Sequence, residues 1–157
     1  MNDWVTEVAN SIPEHAKEVK DKLLSAINNS TLDKVDTHAC ALASAISSGN
    51  GELAFEISMN SPIIGLNERE AAKSAAAVVG INSAYQLFAN QELSKLDFEL
   101  VPSTKLEMYA LASSVASSYQ YGIEQYSQSL KTQLSESDLN SIGEISAVVS
   151  AIGKVAL

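Results

Sequence analysis

Two similar runs of small residues are the most constraining feature of this sequence. The runs 41-ALASAIS-47 and 110-ALASSVA-116 lie 69 positions apart (110 − 41 = 69), and 77-AVV-79 recurs as 147-AVV-149 after 70 positions (147 − 77 = 70). Alanine favours helices, and repetition at a fixed distance is typical of duplicated units that bury a core only when they stack. The sequence therefore predicts two helical pseudo-repeats, at about 31–90 and 103–157.

The rest of the chain agrees with an all-helical protein. No stretch alternates β-branched and polar residues between turn dipeptides, and the chain has only 3 prolines and 7 glycines. A chain of 157 residues is expected to bury roughly 70% of its unfolded surface on folding. We predict an all-α fold with an internal two-fold duplication, in a single domain covering residues 1–157.

Capping patterns predict where the helices of the first half begin and end. The segment 11-SIPE-14 resembles a capping box that starts a helix running to about Ile27. The segment 30-STLD-33 starts the next helix, which runs through 38-HACALASAISS-48 to the break at Gly49-Asn50-Gly51. A short helix is expected over 52-ELAFEI-57.

The same signals continue through the second half. The segment 67-NERE-70 caps a long helix over residues 71–89, and 91-QELSKLDFELVPS-103 is an irregular connector. One helix then contains 109-YALASSVASSYQYGIEQYSQSL-130, and the last is capped by 135-SESD-138 and runs to the C-terminus. In the continuous helix, Tyr119, Gly122 and Tyr126 would share one face.

Charge and cysteine content exclude several classes of function. The chain carries 10 basic and 19 acidic residues, a net charge of −9 that repels phosphate backbones and anionic lipid surfaces. Its one cysteine, Cys40, cannot form an internal disulfide, and neither a signal peptide nor a membrane-spanning run is evident. We therefore expect a soluble cytoplasmic protein that binds neither nucleic acid nor membrane. His15 and His38 form no metal signature, and we expect no metal and no cofactor.

Four segments of the chain, taken in order, resemble the alkyl hydroperoxidase D-like (AhpD-like) proteins of the carboxymuconolactone decarboxylase superfamily. They are 12-IPEHAKEVKDKLLSAINNSTLD-33, ALASAISSGNGELAFEI, AAKSAAAVVGINSAYQLF and 107-EMYALASSVAS-117. The resemblance covers about Ile12 to Ala156. It implies an all-helical protomer with an internal duplication, usually assembled as a homotrimer. Family members act in antioxidant defence: they reduce the disulfide of a partner peroxiredoxin, or peroxides directly, and are re-reduced by a lipoylated carrier.

The family pattern is a glutamate followed by C-x-x-C-x-x-x-H, because disulfide reduction needs a reactive dithiol near the start of a helix and groups that relay protons. Laid on this chain, the glutamate matches Glu107. The two cysteine positions fall on Tyr119 and Gly122, and the histidine position falls on Tyr126. A phenol has no thiol–disulfide couple and glycine has no side chain, so thiol exchange at this site is absent.

Three functions remain open at this point. The first is a redox-inactive scaffold or binding protein that keeps the fold. The second is an antioxidant peroxide reductase that uses Cys40 or the thiols of a partner. The third uses Glu107 in a lyase-like reaction, in the manner of decarboxylating relatives.

Individual residues have competing interpretations as well. Cys40 is either a core residue or a single peroxidatic thiol, and His38 is poorly placed to activate it because residues i and i+2 diverge on a helix. A pseudo-twofold arrangement would bring His38 near Glu107, whereas a carboxylate such as Glu107 is ordinarily solvated or hydrogen-bonded. Four tyrosines either line a pocket for an apolar molecule or serve packing and subunit contact: Tyr109, Tyr119, Tyr121 and Tyr126.

Overall fold

The computed structural model describes residues 3–86 and 93–155, and the regular structure in these ranges is helical. The all-α prediction is confirmed. Eight α-helices follow one another in these ranges: α1 Trp4–Ser11, α2 Lys17–Asn28, α3 Lys34–Ser47, α4 Gly51–Met59, α5 Leu66–Ala84, α6 Ser103–Ala116, α7 Gln120–Leu130 and α8 Glu136–Ile152. A 3₁₀ turn, Glu14–Ala16, leads into α2.

Helices α3 and α6 form the centre of the molecule. They contact each other, and both contact α5 and α8, which lie outside them. Small side chains fill the contact, since five alanines of the two runs are completely buried: Ala41, Ala43, Ala45, Ala110 and Ala112. Ser44 and Ser114 each donate to the carbonyl four residues earlier in their own helix, at 2.8 Å. The two helix backbones can therefore approach closely without leaving these hydroxyls unpaired.

The helices of the two halves begin at matching distances along the chain. Helix α6 begins 69 positions after α3 (103 − 34 = 69), α7 begins 69 positions after α4 (120 − 51 = 69), and α8 begins 70 positions after α5 (136 − 66 = 70). Helices α3 and α6 both have 14 residues. These distances agree with the two sequence offsets. The duplication itself stays a prediction.

The turn that follows each central helix also has the same form in both halves. The Asn50 amide bonds to the Ala45 carbonyl at 3.1 Å, and the Tyr119 amide bonds to the Ser114 carbonyl at 2.9 Å. These bonds span five residues and close a helix C-terminus around a residue with positive φ. That residue is Gly49 in the first half, with φ 81°, and Ser118 in the second, with φ 57°.

The N-terminal region differs from the prediction. Ser11 is not the cap of a helix: it ends α1, and its hydroxyl donates to the Val8 carbonyl at 2.7 Å. Helix α1 was not predicted. It is capped by Asp3, whose side chain accepts from the Thr6 amide, and it is anchored by the fully buried Trp4.

The predicted helix over 109–130 is two helices. The chain leaves α6 at Ser117, passes through Ser118 in the left-handed region, and starts α7 after Tyr119. Tyr119 is the extended N-cap residue of α7, and only Gly122 and Tyr126 lie within that helix. The three residues therefore do not share one face of a continuous helix.

The remaining boundaries are close to the predictions. The capping box at 135–138 is present, and α4 covers the predicted 52–57. Helix α3 is capped by Asp33 rather than Ser30, and α5 starts directly after Gly65. Helix α5 ends at Ala84, and residues 87–92, which include the predicted helix end and the start of the connector, lie outside the described ranges. Within the described ranges, no helix is long and apolar enough to span a membrane.

Candidate functional site

The residues assigned by the resemblance lie along the contact between α6 and α7. Glu107, in the second turn of α6, accepts a hydrogen bond from the Ser129 hydroxyl of α7 at 2.6 Å. The pKa of Tyr126 is raised, first by burial and then by the charges of Tyr119, Glu107 and Tyr121. Glu107, Tyr119 and Tyr126 are therefore close enough to interact electrostatically.

The ring of Tyr119 fills the space above Gly122. Tyr119 is 6% exposed, and a β-carbon built on Gly122 would lie 2.6 Å from its Cδ2 atom. The same β-carbon would also collide with the Ser114 hydroxyl. Contacts this short are not found in proteins, so position 122 accommodates no side chain while Tyr119 and Ser114 keep these positions.

The Tyr119 phenol offers no redox chemistry at this site. Its hydroxyl is buried and has no hydrogen-bond partner among residues 3–86 and 93–155. Burial, and to a smaller extent Tyr121, raises its pKa, so the phenol stays protonated at neutral pH. The Tyr121 ring lies beside it, with centroids 6.2 Å apart. The arrangement is a packed aromatic pair at a helix start.

Cys40 lies in the core between α3 and α6. Its side chain is 0% exposed, and its Sγ atom lies 3.9 Å from the Met108 carbonyl oxygen. Burial raises the pKa of the thiol well above its ordinary value, and Asp36 and Asp33 add to this effect. Because the thiolate is the reactive form, a buried and protonated thiol is a poor nucleophile.

Asp36 accepts the hydrogen bonds that join polar side chains of α3 and α6. It accepts from the Tyr109 hydroxyl at 2.7 Å and from the Lys105 ammonium group at 2.9 Å. Burial and the adjacent Asp36 carboxylate raise the pKa of Tyr109, which keeps the phenol in its donating form. The structure thus places Tyr109 in the contact between α3 and α6, and its hydroxyl is not shared with the other three tyrosines.

His38 belongs to a different network from Glu107. Its Nδ1 atom accepts from the Trp4 indole N–H at 2.9 Å, and the Ser61 hydroxyl lies 3.0 Å from the same atom. The structure therefore gives His38 and Glu107 separate partners, and the proposed pairing of the two is not seen. His15 is exposed in the 3₁₀ turn.

Sequence reasoning missed the His38 network because its partners are remote. Trp4 lies 34 positions away and Ser61 lies 23 positions away. The single tryptophan of the chain was the only available signal, since a buried indole N–H needs an acceptor.

Comparison with known proteins adds no relative. The sequence matches no known protein family, and no curated protein matches it. The AhpD-like resemblance therefore depends on the residues and spacings of this chain alone.

Proposed function

We propose that this protein is a redox-inactive relative of the AhpD-like proteins and acts as a scaffold or binding protein. The observation that carries the proposal is the complete burial of Cys40, the one cysteine in 157 residues. Without an accessible thiol, the chain cannot form the mixed disulfide that thiol exchange requires.

Two further observations support the family relationship within this proposal. The helix starts repeat at 69, 69 and 70 positions, as a duplicated helical protomer requires. Glu107 on α6 also faces α7: it bonds to Ser129 in the last turn of that helix and interacts electrostatically with Tyr126, on which the family's histidine position falls. In this chain the ring of Tyr119 occupies the space above Gly122.

The first test is hydroperoxide consumption in the presence of dithiothreitol or dihydrolipoamide. We expect the protein and its Cys40→Ser variant to consume peroxide no faster than a buffer blank. Turnover above the blank that disappears in Cys40→Ser would make Cys40 catalytic and would establish the peroxide reductase instead.

A second test addresses ancestry by restoring the family pattern. The triple variant Tyr119→Cys, Gly122→Cys, Tyr126→His, made in a Ser114→Ala background, removes both the ring and the hydroxyl that block position 122 and places two thiols at the start of α7. We expect these thiols to react with a soluble disulfide reagent in the folded protein, whereas Cys40 reacts only after unfolding. Two unreactive thiols in a correctly folded triple variant would contradict the alignment with the family.

The same proposal includes a homotrimer in the cytoplasm. A peroxiredoxin or a lipoylated carrier, the partners implied by the resemblance, would find no dithiol here with which to exchange electrons. Sedimentation at micromolar concentration tests the assembly, and a clean monomer would contradict the trimer.

A further inference from the structure

The sulfur-containing side chains in the described part of the chain differ sharply in their access to solvent. They are Cys40, Met59 and Met108, and Met1 lies outside that part. Hydroperoxides oxidise both thiolates and thioethers, and the exposure of each sulfur decides how readily it reacts. The position of each sulfur therefore determines where such an oxidant attacks this protein.

Cys40 and Met108 lie in the core. Cys40 is 0% exposed and Met108 is 3% exposed, and the Cys40 Sγ atom lies against the Met108 carbonyl. Burial also raises the pKa of the Cys40 thiol, which suppresses the reactive thiolate. A hydroperoxide reaches either sulfur only when the packing of α3 and α6 opens.

Met59, the last residue of α4, lies on the outer face of that helix. Its side chain is 64% exposed, and Phe55, one turn earlier, is 66% exposed. Leu53 and Ile57 hold the opposite face of α4 in the core. A thioether has no proton to lose, so Met59 needs no neighbouring base to become nucleophilic.

We propose that Met59 is the site at which hydroperoxides oxidise this protein, and that the folded chain accepts this modification without loss of stability. A lone pair of the Met59 sulfur attacks the outer oxygen of the hydroperoxide, the O–O bond breaks, and an S–O bond forms. The sulfur loses two electrons and becomes a sulfoxide. The hydroperoxide gains these electrons and leaves as an alcohol, or as water from hydrogen peroxide, and its own proton moves to the leaving oxygen.

This modification site goes beyond the proposed function and is independent of it. A sulfoxide is returned to a thioether by dedicated reductases, which the pure protein lacks, so the reaction stops after one oxygen atom at Met59 and gives no turnover. The peroxide assay with a reducing thiol measures turnover, whereas the modification is measured as an increase in mass. Failure of either proposal therefore leaves the other intact.

The position of each sulfur also decides what oxidation does to the fold. A sulfoxide is polar, and at the exposed Met59 it stays in water. At Met108 it would bring a polar group into the core, which is destabilising unless that group is hydrogen-bonded. The fold is therefore protected, because the harmless position reacts first.

Timed exposure of the folded protein to hydrogen peroxide and to tert-butyl hydroperoxide tests the inference. Trypsin places Met59 in the peptide 35–69 and Met108 in the peptide 106–131, and mass spectrometry follows the oxygen added to each. Fragmentation distinguishes Met59 from Cys40, which share a peptide. We expect both reagents to oxidise Met59 at least about tenfold faster than Met108 and to leave Cys40 reduced. In urea the two methionines should react at similar rates.

Two leucine variants and a measurement of stability complete the test. Met59→Leu and Met108→Leu nearly conserve side-chain volume. Met59→Leu should end the oxygen uptake of peptide 35–69, and Met108→Leu should leave the rate at Met59 unchanged. Protein oxidised at Met59 alone should unfold at the same urea concentration as untreated protein. Protein oxidised at both positions in urea and then refolded should unfold at a lower urea concentration, measured by circular dichroism.

The inference is overturned by any of three results. One is oxidation of Met108 or Cys40 in the folded protein as fast as that of Met59. Another is continued oxygen uptake by peptide 35–69 in Met59→Leu. The third is a lower urea midpoint in protein oxidised at Met59 alone.

Discussion

The ring of Tyr119 lies directly above Gly122, and the two residues depend on each other. A β-carbon at position 122 would lie 2.6 Å from Tyr119 Cδ2. A large ring at the first position therefore requires the smallest residue at the second. The cysteines of the AhpD-like pattern fall on these two positions when it is laid on this chain, and a cysteine at position 122 would require both Tyr119 and Ser114 to change or move.

Gly122→Ala should destabilise the protein by about 1–3 kcal/mol, because the added methyl group overlaps Tyr119 and Ser114. This loss exceeds the gain of roughly 1 kcal/mol expected from replacing a helical glycine with alanine. Urea denaturation followed by circular dichroism measures the free energy of unfolding.

Gly143→Ala is the matched control for Gly122→Ala. Gly143 lies within α8, and a β-carbon there meets nothing within 4 Å, so we expect a small gain in stability. The penalty of Gly122→Ala should also shrink in a Tyr119→Ala background. Equal effects of the two alanine substitutions on the free energy of unfolding would show that the contact between Tyr119 and Gly122 does not restrict the side chain at position 122.

Ser118→Gly should stabilise the protein by up to about 1 kcal/mol. Ser118 has φ 57°, a region that costs a residue with a β-carbon roughly 1–2 kcal/mol and a glycine very little. Part of this gain is cancelled by the greater freedom of glycine in the unfolded chain. Ser117→Gly is the control, since Ser117 has φ −98° and should lose stability. A loss of stability in both variants would contradict the argument.

Tyr109→Phe should cost more stability than Lys105→Met. The Tyr109 hydroxyl donates to the buried Asp36 carboxylate, and a hydrogen bond to a charged group is worth about 1.5–3 kcal/mol. Lys105 bonds to the same carboxylate but keeps a more exposed side chain, for which about 0–1 kcal/mol is expected. Thermal and urea unfolding of both variants test the order, and the reverse order would show that the ion pair dominates.

Stability should fall as the pH is lowered from about 6.5, the ordinary value for histidine, towards the lower folded-state pKa of His38. Burial lowers that pKa, Asp3 raises it by a smaller amount, and Lys34 lowers it. Between the folded-state pKa and pH 6.5, the unfolded chain binds the proton more readily than the folded protein does. The stability that neutral His38 contributes to the folded protein is therefore complete above pH 6.5 and declines below it. Protonation at Nδ1 would also displace the Trp4 indole, so Trp4 fluorescence should change as the folded protein titrates.

Two histidine variants identify the group responsible. His38→Asn should remove the fluorescence change and reduce the loss of stability between pH 6.5 and the folded-state pKa. His15→Gln should retain both, because His15 is exposed and the Trp4 indole and the Ser61 hydroxyl bond to His38 instead. The assignment fails if His15→Gln abolishes the transition.

Local signals in the sequence were sufficient for much of the fold. The capping box at 135–138, the break at 49–51 and the helix over 52–57 all depend on neighbouring residues, and all three are present. The interpretation of Cys40 as a core residue also agrees with its complete burial.

Remote contacts account for what was missed. Helix α1 depends on Trp4, whose amide bonds to the Asn60 carbonyl and whose indole bonds to His38. The break before α7 was missed because serine at a positive φ gives no local signal. A glycine occupies the corresponding turn of the first half, so the offset of 69 positions was the one available indication of that break.

A cavity beside His38, which Leu24 and Ile63 also line, was equally out of reach from sequence. Its walls come from α1, α2, α3 and the segments between them, and no periodicity within one element describes such a space. The tautomer of His38 follows only once the Trp4 indole is known to be its partner.

The close contact of α3 and α6 also limits how this chain can diverge during evolution. Ala41, Ala43 and Ala112 are fully buried, so a larger residue on one helix would need a compensating smaller residue on the other, and most of these positions are already alanine or serine. Homologues should therefore vary mainly on the outer faces of α2, α4, α5 and α7. Residues along the central contact should change slowly, and a search for distant relatives would be best guided by these two short segments.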